Sequence, residues 1–373
     1  MSSLTEIRRP ALARCVRSAS AVALTGLLLT ASGAAADIIK KEDMLRGIKT
    51  TRTQCEAIPQ ALWLNVDRQD FCVRYYLSTV GGDGLRPVVF LQGDYFGKLA
   101  NNNTWTDLGD TTDINTEDLM RTADGFSKLA KTTAIYLARI GVDGTSGSHI
   151  YRKTQLELHL MNAALDAIKQ RHGFQGFHLA GQSGGSKLVG GLIGMRHDIA
   201  CAVSGSGPLS VPAKGSLPDP LRKYFDVAEQ IPQIARNRSL RLFVITDRAD
   251  SRVPVDQQIP FVDKMRQAGH AIPQYFVEAT DDRHHGVFEY TRLVASGCIL
   301  GRSDKEIGTA LGTLVQRNAA FNEMRRQEVS ALATNGRVAG QAGASVPAAP
   351  SGIPIVPPAA RSAARGATGA RPL

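Results

Sequence analysis

The sequence of 373 residues lacks several features that would assign a protein class at once. It has no apolar run of the roughly 20 residues that a membrane-spanning helix needs. No group of cysteine and histidine residues has the spacing of a structural zinc site. These absences argue against an internal membrane span and a zinc module, whereas 43% hydrophobic and 21% charged residues are typical of a globular protein.

The formal net charge of +10 is concentrated at the two ends of the chain. Residues 1–36 carry a net +3 and residues 337–373 a net +4, which leaves +3 for residues 37–336. A surface that neutralises many phosphates needs a larger basic excess than this. The charge distribution therefore argues against nucleic acid as a partner.

The two ends have the composition of segments outside the folded domain. Four arginines precede a short apolar segment at residues 21–30, and small residues up to Ala36 offer a cleavage site, so we predict a signal peptide over 1–36. An uncleaved anchor is the alternative. Residues 337–373 are rich in Ala, Gly and Pro and lack aromatic residues, which predicts a disordered tail. We expect an exported protein, periplasmic or secreted, with no membrane span in the mature chain and one domain over 37–336.

Four cysteines follow the predicted signal peptide, at Cys55, Cys72, Cys201 and Cys298. An even number of cysteines in an exported chain favours disulfides. Three pairings are open; closeness in sequence favours Cys55–Cys72, which leaves Cys201–Cys298, and buried free thiols are the alternative.

Apolar segments of strand type and of helix type alternate along the domain. Residues 87–93 (PVVFLQG) are typical of a strand buried on both faces, and residues 154–171 have apolar positions at helical spacing. Such alternation predicts an α/β protein with a mostly parallel central sheet and helices on both faces. Residues 56–80 are expected to add antiparallel strands at one edge. A proline-rich interruption at about 206–239, with a helix near 224–233, predicts a small lid; a long surface loop is the alternative.

Residues 181–185 (GQSGG) are the most specific local signal. They follow a strand-like segment (FHLA) and precede a helix-like one, which is the context that a G-x-S-x-G nucleophile elbow requires. Small residues at 181 and 185 let the strand and the helix pack closely around the turn. Ser183 would then lie at the head of a helix, whose N–H groups favour a developing oxyanion. We predict Ser183 as a nucleophile.

A serine nucleophile needs a base and an orienting carboxylate, which in this architecture follow it in the order Ser, Asp or Glu, His. Two loops supply both groups, each directly after a predicted strand. The first loop contains Asp247 and Asp250, and the second contains His284 and His285. Both loops should emerge at the same edge of the sheet as Ser183.

These motifs resemble the α/β-hydrolase superfamily. The stretch D-S-R-V-P at residues 250–254, followed by His285-Gly286, looks most like its prolyl-oligopeptidase-like and dienelactone-hydrolase-like branches. The resemblance implies an α/β-hydrolase fold and selects Asp250 as the acid and His285 as the base. Asp247 and His284 remain alternatives.

The chain departs from the family pattern after its third strand, where Gln92-Gly93-Asp94-Tyr95 replaces the frequent His-Gly-Gly. An oxyanion hole needs backbone donors rather than particular side chains, so we predict the amide of Gly184 with that of Asp94 or Tyr95. Arg252 and Trp105 are predicted to line the substrate pocket; an exposed ion pair and ordinary core are their other interpretations. We expect no propeller domain before the first strand.

The sequence therefore predicts an exported serine hydrolase that cleaves an ester or amide bond through an acyl-enzyme, with Ser183, His285 and Asp250 as its triad. D-S-R-V-P favours a peptidase-like enzyme slightly. A carboxylesterase or lipase-type esterase is the alternative, and a non-catalytic binding protein on a hydrolase scaffold is the alternative from another class. The mechanism requires no metal and no organic cofactor, and the expected partner is a small ester or peptide.

Overall fold

The computed structural model describes most of the predicted domain. The described residues are 37–95, 98–99, 105–107, 111–210, 223–279 and 281–339, without the side chains of 98–99, 105–106, 321–322 and 325–339. The predicted signal peptide lies outside them, as does the predicted tail beyond Ala339, where the last helix ends. Within these ranges no helix combines the length and the apolar character that crossing a membrane requires.

Strands and helices alternate along the chain as predicted. The strands are β1 (Ile38–Ile39), β2 (Ala61–Val66), β3 (Gln69–Ser78), β4 (Val88–Leu91), β5 (Lys98–Leu99), β6 (Trp105–Asp107), β7 (Ile114–Asn115), β8 (Ala134–Leu137), β9 (Phe177–Gln182), β10 (Ile199–Gly205), β11 (Arg241–Thr246) and β12 (Gln274–Phe276). The helices are α1 (Lys41–Arg46), α2 (Arg52–Glu56), α3 (Thr116–Ala130), α4 (Gln155–His172), α5 (Gly184–Met195), α6 (Ile231–Arg236), α7 (Ile259–Gln267), α8 (Phe288–Ile299) and α9 (Asp304–Ala339).

Eight of the strands form the central sheet, in the order β2-β3-β8-β4-β9-β10-β11-β12. The strand β3 runs antiparallel to both of its neighbours, and the strands from β8 to β12 pair in parallel. This arrangement confirms the α/β class, the mostly parallel sheet and the antiparallel strands at one edge. The carboxyl ends of the parallel strands therefore share one edge, where ligands bind in open sheets of this type.

The β2–β3 hairpin depends on a two-residue turn at Asp67 and Arg68. Both residues have positive φ angles, 49° and 64°, which is the backbone pattern of a type I′ turn and matches the twist of the strands. Aspartate tolerates this conformation better than most residues. The Asp67 carboxylate also lies 2.8 Å from His159 Nδ1 on α4, which fixes the hairpin against that helix.

Two apolar layers cover the two faces of the sheet. Successive residues of β4 alternate between them, because Val89 and Leu91 pack with α4, α5 and α7, whereas Val88 and Phe90 pack with α3, α8 and α9. An uninterrupted apolar strand is expected when both faces are buried in this way. The helices therefore hold the sheet rigidly and leave its carboxyl edge for the site.

Two disulfides join distant parts of the domain. Cys55 in α2 pairs with Cys72 in β3, and Cys201 in β10 pairs with Cys298 in α8. These are the pairs that closeness in sequence favours. The second disulfide ties the helix that follows the histidine loop to the middle of the sheet.

Loss of the Cys201–Cys298 disulfide is expected to destabilise the domain more than loss of Cys55–Cys72. The sequence separations are 97 and 17 residues, and loop-closure entropy gives about 4.7 and about 3 kcal/mol for such loops. We expect the Cys201→Ser/Cys298→Ser variant to be less stable than Cys55→Ser/Cys72→Ser by about 1.5 kcal/mol in urea unfolding. The reverse order of stability would contradict this expectation.

The predicted lid is described on both sides of residues 211–222. After this gap the expected helix over 224–233 is instead a 3-10 turn, Val227–Gln230, followed by α6. Pro232 explains the break. Proline suits the first turn of a helix, but it has no backbone N–H and so cannot continue a helix that began before it. Backbone hydrogen bonds from Gln155 N to Lys223 O (2.8 Å) and from Phe225 N to Lys153 O (3.4 Å) fasten this segment to the start of α4.

Candidate active site

Ser183 occupies a sharp turn between β9 and α5. Its φ of 53° and ψ of −117° are rare for a residue with a side chain. Its amide donates a 2.8 Å hydrogen bond to Gly205 O on the neighbouring strand, and its side chain is largely buried. Strained turns that are held by their surroundings are typical of functional sites. Ser183 therefore has the backbone geometry of a nucleophile elbow.

Small residues allow the strand and the helix to approach closely at this turn. A Cβ on Gly185 would lie 2.0 Å from Leu91 O, and one on Gly181 would lie 2.7 Å from the Gly185 backbone. Ser186 stands where the peptidase branch often has glycine. Its Oγ lies 2.6 Å from Gly181 O and 2.8 Å from Gly205 O, so the hydroxyl donates to the strand ends beneath the turn.

His285 is oriented by the carboxylate of Asp250. The His285 Nδ1 atom lies 2.9 Å from Asp250 Oδ2 and 3.1 Å from Oδ1. The Asp250 side chain is fully buried, and Oδ1 also accepts the backbone N–H groups of Arg252 (2.8 Å) and Val253 (2.9 Å). Because a carboxylate accepts, Nδ1 carries the proton and Nε2 is left as an acceptor.

His285 Nε2 is buried and has no hydrogen-bond partner among the described residues. Gln182, which precedes Ser183, donates from its side-chain amide to the backbone carbonyl of His285 at 2.7 Å. This contact ties the histidine loop to the nucleophile turn. Hydrogen bonds between a base and its nucleophile often tighten only when substrate binds. The structure thus shows no hydrogen bond between His285 Nε2 and Ser183 Oγ, and Nε2 is left as the acceptor that general-base catalysis needs.

A second, more exposed pair is formed by His284 and Asp247. Their Nδ1 and Oδ2 atoms are 3.0 Å apart, and the His284 side chain is 39% exposed. Asp247 also accepts the backbone N–H groups of Ala249 (2.8 Å) and Ala279 (2.7 Å), so it braces two loops. The aspartates and histidines that the sequence left as alternatives thus form two separate pairs. The buried pair, which contains His285, is the one that contacts Gln182, the residue before Ser183.

The turn after β4 packs directly against Ser183. A Cβ on Gly93 would lie 3.2 Å from Ser183 Cβ, and one on Gly184 would lie 2.0 Å from Asp94 Oδ1. The Tyr95 amide donates to a histidine nitrogen at 3.4 Å. Within the described part of the chain, the amides of Asp94 and Gly184 have no hydrogen-bond acceptor. Because the Tyr95 amide already donates a hydrogen bond and the other two amides do not, the structure favours Gly184 and Asp94 as the oxyanion donors and argues against Tyr95.

Asp94 is a buried carboxylate with three nearby cations, of which Arg152 is the most distant, with its Nε 3.7 Å from Oδ2. Its Oδ1 lies 2.8 Å from Arg139 Nη1, and its Oδ2 lies 2.6 Å from Lys153 Nζ. Burial opposes ionisation, but Lys153 and then Arg139 outweigh it and hold the pKa of Asp94 well below its ordinary value. The cations offset the negative charge beside Gly184, which reduces its repulsion of a developing oxyanion.

Arg139 fixes the backbone of the same turn. Its guanidinium donates to both oxygens of the buried Glu157 at 2.9 and 3.0 Å, and to Gln92 O at 3.1 Å. Burial disfavours the cation, but Glu157 and then Asp94 overcome this cost and raise the pKa of Arg139 above its ordinary value. A bidentate ion pair of this kind fixes the geometry of the two side chains as well as stabilising their contact. The start of α4 and the turn after β4 are therefore held in one position.

Tyr95 anchors the far end of this turn. Its hydroxyl donates to Asp143 Oδ1 at 2.7 Å, and Tyr136 donates to Oδ2 at the same distance; burial raises the pKa of all three groups. Burial also lowers the pKa of His149 to about 3. The neutral imidazole donates from Nδ1 to Ile140 O (3.0 Å) and accepts the Tyr95 amide on Nε2.

The two predicted pocket residues remain predictions. Arg252 has an exposed side chain, and its backbone N–H supports Asp250. Trp105 begins β6, and its side chain lies outside the described part of the structure.

Sequence reasoning missed the buried charges behind the turn after β4. Arg139, Glu157 and Asp143 are each at most 1% exposed, although nothing in the pattern marked them as functional. One signal was present, because Arg139 directly follows the uninterrupted apolar segment at residues 134–138. A charge placed there must be buried and therefore needs partners.

Three solved structures show what the chain is similar to. An esterase from Pyrococcus furiosus matches with 16% identity and a TM-score of 0.47, over 68% of this chain and 94% of that one. Est1E from Butyrivibrio proteoclasticus, solved with ferulic acid bound, matches with 12% identity and a TM-score of 0.44, over 65% and 99% of the two chains. An acylaminoacyl peptidase from Pyrococcus horikoshii matches with 12% identity and a TM-score of 0.42, over 65% and 40%. No protein-family model and no curated protein matches.

The strand order and the position of the serine turn define the fold. Counted along the chain, the eight strands of the central sheet lie in the order 1-2-4-3-5-6-7-8, with the second antiparallel to its neighbours. The Ser183 turn follows the fifth strand, the two aspartates follow the seventh, and the two histidines follow the eighth. This chain has the α/β-hydrolase fold.

Proposed function

We propose that the protein is a serine hydrolase that cleaves an ester or amide bond through an acyl-enzyme. One observation carries the proposal. The buried Asp250 holds His285 at 2.9 Å, and the unpartnered Nε2 of that histidine belongs to a loop that Gln182 ties to the strained turn of Ser183. Acyl transfer requires a nucleophile, a base and a carboxylate that orients the base, and Ser183, His285 and Asp250 can fill these roles.

In the proposed mechanism, His285 Nε2 removes the proton of Ser183 Oγ while that oxygen attacks the substrate carbonyl. Asp250 accepts the Nδ1 proton in a hydrogen bond and stabilises the imidazolium that forms. The amides of Gly184 and Asp94 bind the oxyanion of the tetrahedral intermediate. His285 then protonates the leaving group, and water hydrolyses the acyl-enzyme with the same histidine as base.

Ester and amide substrates use the same three groups. The D-S-R-V-P stretch at residues 250–254 favours a peptidase-like enzyme slightly, and a carboxylesterase is the alternative. A panel of 4-nitrophenyl esters beside a panel of aminoacyl 4-nitroanilides separates the two. Turnover of the anilides would assign the peptidase-like enzyme, because activated esters are cleaved by either enzyme, and turnover of esters alone would assign the esterase.

We also propose that the protein works outside the cytoplasm. The two disulfides support this proposal, because disulfides persist in oxidising compartments. N-terminal sequencing of the protein from a periplasmic or culture-medium fraction tests it, and a mature N-terminus near Asp37 is the expected result. An unprocessed N-terminus in a membrane fraction would favour the uncleaved anchor instead.

A fluorophosphonate probe is expected to label the wild-type protein at one site and to leave Ser183→Ala unlabelled. Such probes react with a serine whose proton is removed by a neighbouring base, and the adduct is measured by intact mass and peptide mapping. Ser239→Ala, at an exposed serine, is the matched control and should label as the wild type does. Equal labelling of wild type and Ser183→Ala would refute the assignment, and a folded wild type without any labelling would favour a non-catalytic binding protein.

A further inference from the structure

Lys187 is a buried lysine on the helix that Ser183 heads. It lies one turn after Ser183 on α5 and is only 4% exposed. Residues four apart lie on the same face of a helix, and side chains lean toward the N-terminus of the helix. The Lys187 side chain therefore extends toward the end of α5 that carries the proposed nucleophile.

The described residues place an aromatic ring and several charges around this amine, but none of them accepts a hydrogen bond from it. Lys187 Nζ lies 5.2 Å from the centroid of the Phe225 ring, in the segment that closes the predicted lid. Within the described residues it has no hydrogen bond and no ion pair. The charges that influence it are Lys153, which repels it, and Asp226 and Asp94, which attract it.

Both nearby carboxylates are already engaged. Asp226 Oδ1 accepts the backbone N–H of Ala228 at 2.9 Å, where it caps the 3-10 turn after the lid. Asp94 is held by Lys153 and Arg139, as described above. Lys187 thus has three N–H donors without an acceptor among the described residues, and its Nζ is not one of the buried atoms that lack a partner, so the ammonium is open to solvent.

Burial is unfavourable for this cation. Desolvation and then Lys153 lower the pKa of Lys187 to about 8, so most of the side chains remain charged at pH 7. The residue is only 4% exposed, yet its ammonium reaches solvent and forms no ion pair with the described residues, so a carboxylate on a ligand can displace that water without breaking an ion pair.

We propose that Lys187 is the anchor of a subsite for a carboxylate on the substrate, so that the hydrolase acts on esters or amides that carry a negative charge near the scissile bond. This inference rests on the proposed serine hydrolase and names its substrate class. A single uncompensated cation matches a singly charged carboxylate, and the Phe225 ring supplies an apolar wall beside it. The carboxylate would accept hydrogen bonds from Nζ in a site of low dielectric.

The test compares charged and neutral esters of similar shape. Mono-4-nitrophenyl glutarate and 4-nitrophenyl hexanoate probe the acyl side, and 4-acetoxybenzoate and 4-acetoxybenzamide probe the leaving-group side. In the wild type, we expect kcat/KM for the charged member of one pair to exceed that of its neutral partner. In Lys187→Met, this ratio should fall by about 10-fold to 100-fold, the size of a charge-assisted hydrogen bond. Lys264→Met, at an exposed lysine on α7, should keep the wild-type ratio.

Two further readouts separate this role from a structural one. Lys187→Met should melt at a temperature equal to or above that of the wild type, because it removes a partly desolvated cation that has no ion pair among the described residues; a structural lysine would lower the melting temperature. Fluorophosphonate labelling of Ser183 should persist in the variant. Labelling of the wild type without any charge preference, or an equal loss on both members of a pair, would overturn the subsite alone. Absence of labelling in the wild type would overturn the hydrolase and the subsite together.

Discussion

Replacing Asp250 with asparagine is expected to lower kcat by about 10⁴-fold, whereas the same replacement at Asp247 should leave kcat within about tenfold of the wild type. Both aspartates follow β11, and each pairs with one of two adjacent histidines. The two variants therefore make the same chemical change at neighbouring positions. The difference between them measures which pair belongs to the nucleophile.

The large effect at Asp250 follows from the tautomer of His285. The carboxylate accepts from Nδ1 and keeps Nε2 without a proton, ready to act as a base. An asparagine amide facing Nδ1 donates instead and favours the tautomer with the proton on Nε2, which cannot take the proton of Ser183. The side chain is fully buried, so water has no room to restore the acceptor.

Asp247 has a different task. Its carboxylate braces the backbone at Ala249 and Ala279, and its histidine partner is 39% exposed. Asp247→Asn is therefore expected to cost about 1–3 kcal/mol of stability through an unsatisfied donor, with a modest effect on kcat. Urea unfolding and steady-state kinetics of both variants check this division. A greater loss of kcat in Asp247→Asn than in Asp250→Asn would assign the base to His284.

The parts of the fold that the sequence predicts are those with a strong local pattern. The turn at Ser183 was predictable because residues 181–185 combine small residues with a strand before and a helix after, and the structure has that turn. The order of nucleophile, acid and base followed from the positions of two loops after strands. Short strands such as β1 and β7, of two residues each, carry no periodicity and could not be predicted.

The buried charges could not be predicted because their partners are set by tertiary contacts. Arg139 pairs with Glu157, which is 18 positions along the chain, and with Asp94, which is 45 positions back. No spacing rule selects these partners among the many carboxylates of the chain. Lys187 illustrates the same limit, since a lysine on a helix is exposed in most proteins and only the packing of Phe225 shows that this one is buried.

Replacing Arg139 with methionine is expected to lower the free energy of unfolding by about 3–5 kcal/mol, because it leaves two buried carboxylates with fewer partners. Glu157 would lose both of its guanidinium hydrogen bonds, and Asp94 would keep Lys153 and the more distant Arg152 as its cations. For a domain of this size the melting temperature should fall by roughly 10 °C. Activity below the melting transition should also fall, since Gln92 O loses the donor that fixes the turn carrying the Asp94 amide.

Arg196→Met is the matched control for this variant. Arg196 is also largely buried and also contacts two carboxylates, but those of Asp166 and Asp198 are 61% and 20% exposed and remain hydrated when the arginine is removed. Its loss should cost about 1 kcal/mol or less. Similar melting temperatures for the two variants would contradict the special role of the Arg139 cluster.

The loss of unfolding free energy in Arg139→Met is also expected to depend on pH. A cavity left by the missing side chain would lower the stability equally at every pH. In the wild type the pKa of Asp94 lies well below its ordinary value of 3.8, so the stability that this carboxylate contributes is complete at neutral pH and is lost only as the pH falls through the folded pKa. Removing one of its cations raises that folded pKa, so the variant reaches protonation of Asp94 at a higher pH than the wild type does. The difference in unfolding free energy between the two proteins should therefore be greatest near neutral pH and narrow as the pH falls through the folded pKa of the variant. A difference that stays constant from neutral pH down to values well below 3.8 would mean that lost packing, rather than the ion pairs behind the proposed oxyanion hole, accounts for the effect.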